Sequence, residues 1–163
     1  MKKPLNYVFG ILLILFDQMT KLWAKGSLKG NSDISIIENV FCLHYLENHG
    51  AAFGIFQNQQ LFFLITTAII LAGIGYFSYK LPQDKKYLPL EIISLFVSAG
   101  AIGNFIDRLS YGYVIDFLYF ELIDFPVFNV ADCYVTCSAF FLIILIFFYY
   151  KEEDFAFLNR KEA

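Results

Sequence analysis

The sequence predicts an all-α membrane protein: four transmembrane helices with a small β-rich extracytoplasmic subdomain between helices 1 and 2. Three observations carry the prediction. Hydrophobic residues make up 58% of the 163 residues and charged residues only 17%, a balance too apolar for a soluble domain of this size. Four apolar stretches each reach about 20 residues, the length that crosses roughly 30 Å of hydrocarbon at about 1.5 Å per residue. Between the first two, the long apolar pattern gives way to short alternating segments.

The spans are expected near residues 5–23, 61–80, 88–106 and 132–150, with the outer subdomain at about 24–60, all within a single integral membrane domain covering 1–163. The first span begins like a secretory signal, with Lys2 and Lys3 ahead of an apolar run. Asp17, Gln18 and Lys21 stand where a cleavage site needs small residues, so it is read as a mature helix. In the subdomain, Ile34 and Ile36 alternate with polar neighbours and Val40 to Leu46 forms a second strand-like run. Gly50, Ala51, Ala52 and Gly54 are small enough to approach a peptide backbone, and equally suit a short amphipathic surface helix. The charged tail after Lys151 carries no chemical motif.

Orientation follows from the cations. Lys2, Lys3, Lys80, Lys85, Lys86, Lys151, Arg160 and Lys161 share one side if both termini are cytoplasmic, leaving Lys21, Lys25, Lys29 and Arg108 toward the other. The net charge of −3 offers no basic face, so nucleic acid is not an expected partner. Cys42, Cys133 and Cys137 form no C-x-x-C pair and are read as packing residues.

Charges inside spans are expensive, so each is a functional candidate with a bundle-facing ion pair as the standing alternative. Asp17 and Lys21 share one helix face at i, i+4, as a structural pair or as support for a site. Gly100, Gly103, Asn104 and Asp107 fall along one helical stripe followed by Arg108. The glycines permit close helix approach, and the planar guanidinium can orient carboxylates or hold a backbone carbonyl. The strongest pair is Asp116 and Asp132, flanking the last outer loop at the membrane boundary. Two carboxylates brought together in a poorly solvated place share a proton, giving one base to activate water and one acid to protonate a carbonyl or leaving amine. Asp132 also fits as the third residue of a helix capped by Asn129, where the free N–H groups favour a carboxylate.

Other chemistries are poorly supplied. His44 and His49 lie outside the spans without H-E-x-x-H spacing, and are read as exposed loop residues and not as ligands. No G-x-S-x-G elbow occurs. A metal-dependent membrane phosphotransferase would need a denser D-x-x-D-G motif than Asp107, Gly112 and Asp116 provide. A proton-coupled transporter would place charge at mid-membrane in related halves, whereas the second span has none. No metal and no cofactor is expected.

At these residues the chain resembles the lipoprotein signal peptidases (signal peptidase II), aspartyl proteases of the bacterial cytoplasmic membrane. Asp17-Gln-Met-Thr-Lys21, Asn48-His-Gly-Ala-Ala-Phe53, Gly103-Asn-Phe-Ile-Asp-Arg108, Val114-Ile-Asp-Phe117 and Phe128-Asn-Val-Ala-Asp132 are similar to the family's five motifs and stand in the same order. The resemblance implies that Asp116 and Asp132 are the catalytic pair and that no metal is used. It implies a substrate, a prolipoprotein whose cysteine already carries diacylglycerol, cut just before that cysteine at the outer face of the membrane. Asn48, Gly50, Asn104, Arg108 and Asn129 are implied to bind substrate or place the aspartates, with Asp17, Lys21 and Asp107 supporting them. Membrane lipid and a globomycin-type cyclic peptide inhibitor are the further partners implied. Glu47 and Cys133 depart from the expected pattern beside two of the motifs.

Overall fold

The computed structural model describes residues 3–50 and 56–159. Four helices, α1 (Lys3–Ser27), α2 (Gln60–Lys80), α3 (Leu88–Tyr111) and α4 (Val130–Phe148), are long and apolar enough to cross a membrane. Their outward faces are apolar: Ile69 is 66% exposed, Phe147 77% and Phe148 86%, and α2 buries no residue within the bundle. Lipid is the medium in which such surfaces are stable.

The helices start and stop for local reasons. Pro89 stands in the first turn of α3, where its missing N–H is harmless, and Gly112 ends the helix at φ 78°, donating its N–H to the Arg108 carbonyl. Leu81 leaves α2 in extended conformation ahead of Pro82. Asn129 and Asp132 form a reciprocal capping box at the start of α4. α3 runs on past Ile106 to Tyr111. Asn104, Asp107 and Arg108 lower the local hydropathy, but they face protein and not lipid, so the helix continues where an apolar run seems to stop.

The β structure departs from the expectation. Strands β1 (Ile34–Ile37) and β2 (Phe41–Asn48) do lie between α1 and α2, but a third strand, β3 (Val114–Tyr119), comes from between α3 and α4. The sheet is antiparallel in the order β1-β2-β3, so it joins both extramembrane segments at that end of the bundle. β3 reads Val-Ile-Asp-Phe-Leu-Tyr, a short run rich in β-branched and aromatic residues. Its pairing with β2 shifts register between Leu43 and Leu46, and past that bulge Asn48 stands opposite Val114 and diagonal to Asp116.

Beneath the sheet, Ala24, Leu28 and Phe117 form a buried cluster joined by Leu43, Tyr45, Leu118 and Val130, which fastens the end of α1 to the sheet. At the opposite end the tail is tied down by a 3-10 helix at Glu152–Asn159. Lys86 pairs with Asp154, Tyr87 Oη donates to the Asp154 carbonyl at 2.9 Å, and Tyr150 Oη to the Lys86 carbonyl at 2.7 Å. His44 corrects the loop reading: it lies within β2, half-buried, with Nδ1 2.9 Å from Asp33 Oδ1. His49 follows β2 with its ring 5.3 Å from that of Tyr113. Ala51, Ala52 and Gly54, with the alternative readings given to them, and Lys2, Arg160 and Lys161 fall outside the described residues.

Candidate active site

α3 approaches its neighbours closely enough to bring polar groups together because it carries glycine on that face. A Cβ on Gly100 would stand 2.5 Å from the Ala131 carbonyl oxygen, and one on Gly103 would collide with the Asp17 carboxylate. The two glycines thereby seat α3 against both α1 and the first turn of α4.

The deepest layer is an ion cluster. Lys21, 1% exposed, places Nζ 3.0 Å from Asp17 Oδ2 and 3.0 Å from Asp107 Oδ2, and donates to Asn104 Oδ1 at 2.8 Å. Its three N–H bonds are all used. Asp107 Oδ2 also accepts the Ile115 N–H at 3.1 Å, tying β3 to α3. Asp17 Oδ1 accepts the Ala131 N–H at 2.9 Å, so α1 supplies an acceptor for the free N-terminus of α4. Gln18 closes the cluster, donating to Asp107 Oδ1 at 3.0 Å, to the Gly103 carbonyl at 3.1 Å and to Asp17 Oδ2 at 3.2 Å.

Above this layer stand Asp116 and Asp132. Asn104 Oδ1 faces Lys21, so its Nδ2 must face the other way, and it donates to Asp132 Oδ1 at 2.8 Å. Asn129 touches both carboxylates. Its backbone N–H donates to Asp132 Oδ2 at 3.1 Å, its Nδ2 donates to Asp116 Oδ1 at 2.6 Å, and its Oδ1 accepts the Asp132 N–H at 3.0 Å. Asn48 Nδ2 donates to the remaining oxygen, Asp116 Oδ2, at 2.8 Å, while its Oδ1 accepts the Gly50 N–H at 3.0 Å. Among the described residues, each of the four carboxylate oxygens thus accepts one N–H bond. Burial, and then the neighbouring Asp132 charge, push the Asp116 carboxyl up to about 7.

Arg108 covers one side. Its guanidinium lies 4.6 Å from the Phe63 ring centre and donates to the Gly50 carbonyl at 3.1 Å. Its Nε is buried without a partner among the described residues. Beside Asn48, Glu47 is 2.6 Å from Lys29 Nζ and accepts from Tyr45 Oη at 3.0 Å. That pairing with Lys29 holds the Glu47 carboxyl down at about 2. Cys133 carries a half-buried thiol next to Asp132.

All ten residues singled out in the sequence, Asp17, Lys21, Asn48, Gly50, Asn104, Asp107, Arg108, Asp116, Asn129 and Asp132, meet in this one network. Two residues were missed. Gln18 bonds three members of the network, and its signal was its place between Asp17 and Lys21 on a span, where an amide needs partners inside the bundle. Phe63, under Arg108, gave no signal in an apolar span.

Comparison with known proteins identifies the family. The family model described as signal peptidase (SPase) II matches residues 9–148. The lipoprotein signal peptidase of Streptococcus thermophilus is 41% identical over 142 residues, covering 87% of this chain and 92% of that protein. That of Clostridium tetani is 42% identical over 135 residues, covering 81% and 85%. A bacterial membrane enzyme solved by the in meso method at 2.3 Å superposes with a TM-score of 0.75 at 30% identity, covering 98% of this chain and 93% of that one. A second, solved at 1.9 Å, gives 0.76 at 31% identity, covering 90% and 95%. Neither a phosphotransferase nor a transporter finds support in these relatives. With a matching family model over most of its length and relatives above 40% identity, the chain belongs to the signal peptidase II family of membrane proteases.

Proposed function

We propose that this protein removes the signal peptide from diacylglyceryl-modified prolipoproteins, cutting before the lipidated cysteine with Asp116 and Asp132 as the catalytic pair. The single observation behind the assignment is that Asn129 bonds both carboxylates while Asn48 and Asn104 hold their outer oxygens. A pair held in this way has fixed lone-pair directions, as general acid–base work on one water requires.

The free N–H groups at the start of α4 favour the ionised form of Asp132, so the proton that the pair shares is assigned to Asp116. Asp132 takes a proton from water as the water oxygen bonds to the scissile carbonyl carbon, and Asp116 gives its proton to the carbonyl oxygen. Collapse of the tetrahedral gem-diol breaks the C–N bond: the proton on Asp132 passes to the leaving amine, and one hydroxyl returns its proton to Asp116 as the carbonyl re-forms, restoring the pair. Arg108, bonded to the Gly50 carbonyl, and Asn48, bonded to the Gly50 N–H and to Asp116, hold Gly50 beside the pair, where it contacts the substrate backbone. Asp17, Lys21 and Asp107 support the pair from beneath.

The chain is read as a single membrane domain in the bacterial cytoplasmic membrane. Lys80, Lys85, Lys86 and Lys151 mark the cytoplasmic end, both termini lie there, and the carboxylate pair sits near the outer face. There it meets the scissile bond of a substrate whose acyl chains stay in the bilayer. A globomycin-type cyclic peptide fits the same place as an inhibitor by occupying the ground of the substrate backbone.

The test is cleavage of a diacylglyceryl-modified prolipoprotein by the purified protein in detergent. Wild type should cut before the lipidated cysteine with a metal chelator present, and folded Asp116→Asn and Asp132→Asn should both be inactive. Near-full activity in either variant removes that aspartate from the pair.

A further inference from the structure

A cavity lies away from the carboxylates. α1 and α2 both pack on α3 and leave between them a space of about 770 Å³, within the range of sites that enclose small ligands. Its floor on α3 is the stripe of Glu91, Ser94, Ser98 and Ile102, turned away from the face that carries Gly100, Gly103 and Asn104. The space is closed at one end by the α2–α3 link, where Asp84 and Lys85 line it.

The walls are apolar, yet that end is polar and one group there lacks a partner. Asn6, 9% exposed, donates its Nδ2 to Glu91 Oε1, which leaves Asn6 Oδ1 buried and unpaired among the described residues. A buried acceptor beside a carboxylate calls for a ligand rich in N–H donors. Lys85 adds one cation to the same rim, so the rim suits a ligand carrying both signs of charge. From Glu91 to Ile102 the floor runs about 17 Å. That is close to half of the roughly 30 Å hydrocarbon thickness, the depth of one leaflet and too short for a spanning helix.

We propose that this cavity is a binding site for one inner-leaflet aminophospholipid. Its ammonium group donates to Glu91 and Asn6 Oδ1, its phosphate meets Lys85, and an acyl chain lies along Ile14, Leu71 and Ile102. The site is independent of the catalytic reading, because none of its residues touches the carboxylate pair.

The experiment is native mass spectrometry of the full chain in detergent, titrated separately with phosphatidylethanolamine, phosphatidylcholine and phosphatidylglycerol of identical acyl chains. Phosphatidylcholine has the same charges but no N–H, so it isolates the donor requirement. Phosphatidylethanolamine should be retained one per chain and about tenfold more tightly than phosphatidylcholine or phosphatidylglycerol, the effect of one charge-assisted hydrogen bond. Glu91→Gln should abolish that preference. Gly75 lines the cavity and a Cβ there meets nothing within 4 Å, so Gly75→Leu should fill the space without strain and lower retention of all three lipids. Equal retention of the three lipids by wild type, or retention untouched by Gly75→Leu, overturns the proposal. Retained prolipoprotein cleavage in both variants serves as the check that they are folded.

Discussion

Lys21 Nζ lies 2.8 Å from Asn104 Oδ1, and that bond decides which end of the Asn104 amide is presented to Asp132. A cation two helices away from the carboxylate pair therefore sets the direction of a hydrogen bond to it. Lys21→Met should leave Asp17 and Asp107 without their counter-charge, destabilising the protein by about 3–5 kcal/mol. It should also free the Asn104 amide to turn. Thermal unfolding in detergent measures the first effect and prolipoprotein cleavage on the surviving folded fraction the second. A loss under about 1 kcal/mol, the worth of a surface pair, would show that the cluster is not an ion network.

Asn129 has two separable duties, a helix cap and a bridge between carboxylates. Serine caps a helix about as well as asparagine but is too short to reach Asp116. Asn129→Ser should therefore keep its unfolding temperature close to wild type while kcat falls about tenfold or more, as for the loss of one charge-assisted bond. A parallel fall of both quantities would mean that the residue acts only through the helix terminus.

The elevated Asp116 carboxyl makes two statements about pH. As the proposed acid of the pair it must hold a proton, so kcat/KM should decline on an alkaline limb centred near 7. In folding, its value is raised above the ordinary 3.8, so the native state binds a proton that the unfolded chain releases. That contribution is complete below about pH 4 and is lost as pH rises through about 7. The unfolding temperature of Asp116→Asn should accordingly gain on wild type between pH 5 and pH 8. A difference in unfolding temperature, variant minus wild type, that stays constant or falls over that range would contradict the assignment.

Glycine positions give a clean contrast. A methyl at Gly100 meets the Ala131 backbone oxygen and Val135, whereas a methyl at Gly73 meets nothing within 4 Å. Gly100→Ala should push α3 from α4, lowering stability by about 1–3 kcal/mol and weakening cleavage. Gly73→Ala should raise stability by about 0.5–1 kcal/mol through helix propensity alone, with cleavage unchanged. Thermal unfolding of the two variants side by side decides it.

The helices and the charged stripe were legible because lipid makes strict demands: long apolar runs stand out, and polar residues inside them must find each other. The capping role of Asn129 and Asp132 was legible for a local reason, since it is written within four consecutive residues. β3 was not legible as a strand, because Val114 to Tyr119 is buried on both faces over most of its length and shows no alternation. Its partner β2 is far away in the chain, and only the fold shows that the two outer segments share a sheet. The polar end of the α1–α3 crevice was equally hidden: Asn6 and Glu91 look like ordinary residues at helix ends until the bundle brings them together.

The bond from the Ala131 N–H to Asp17 Oδ1 has a bearing on biosynthesis. α1 leaves the ribosome first and α4 last, and the Asp17 and Lys21 pair can travel through the bilayer as a self-neutralised i, i+4 couple. Its outward bonds to Asp107 and Ala131 exist only after α3 and then α4 have arrived. A truncated chain halted after β3 would hold Asp116 but neither Asn129 nor Asp132. On the proposed assignment, proteolytic capacity is therefore withheld until α4 is in place, and a copy still without α4 cannot attack other membrane proteins.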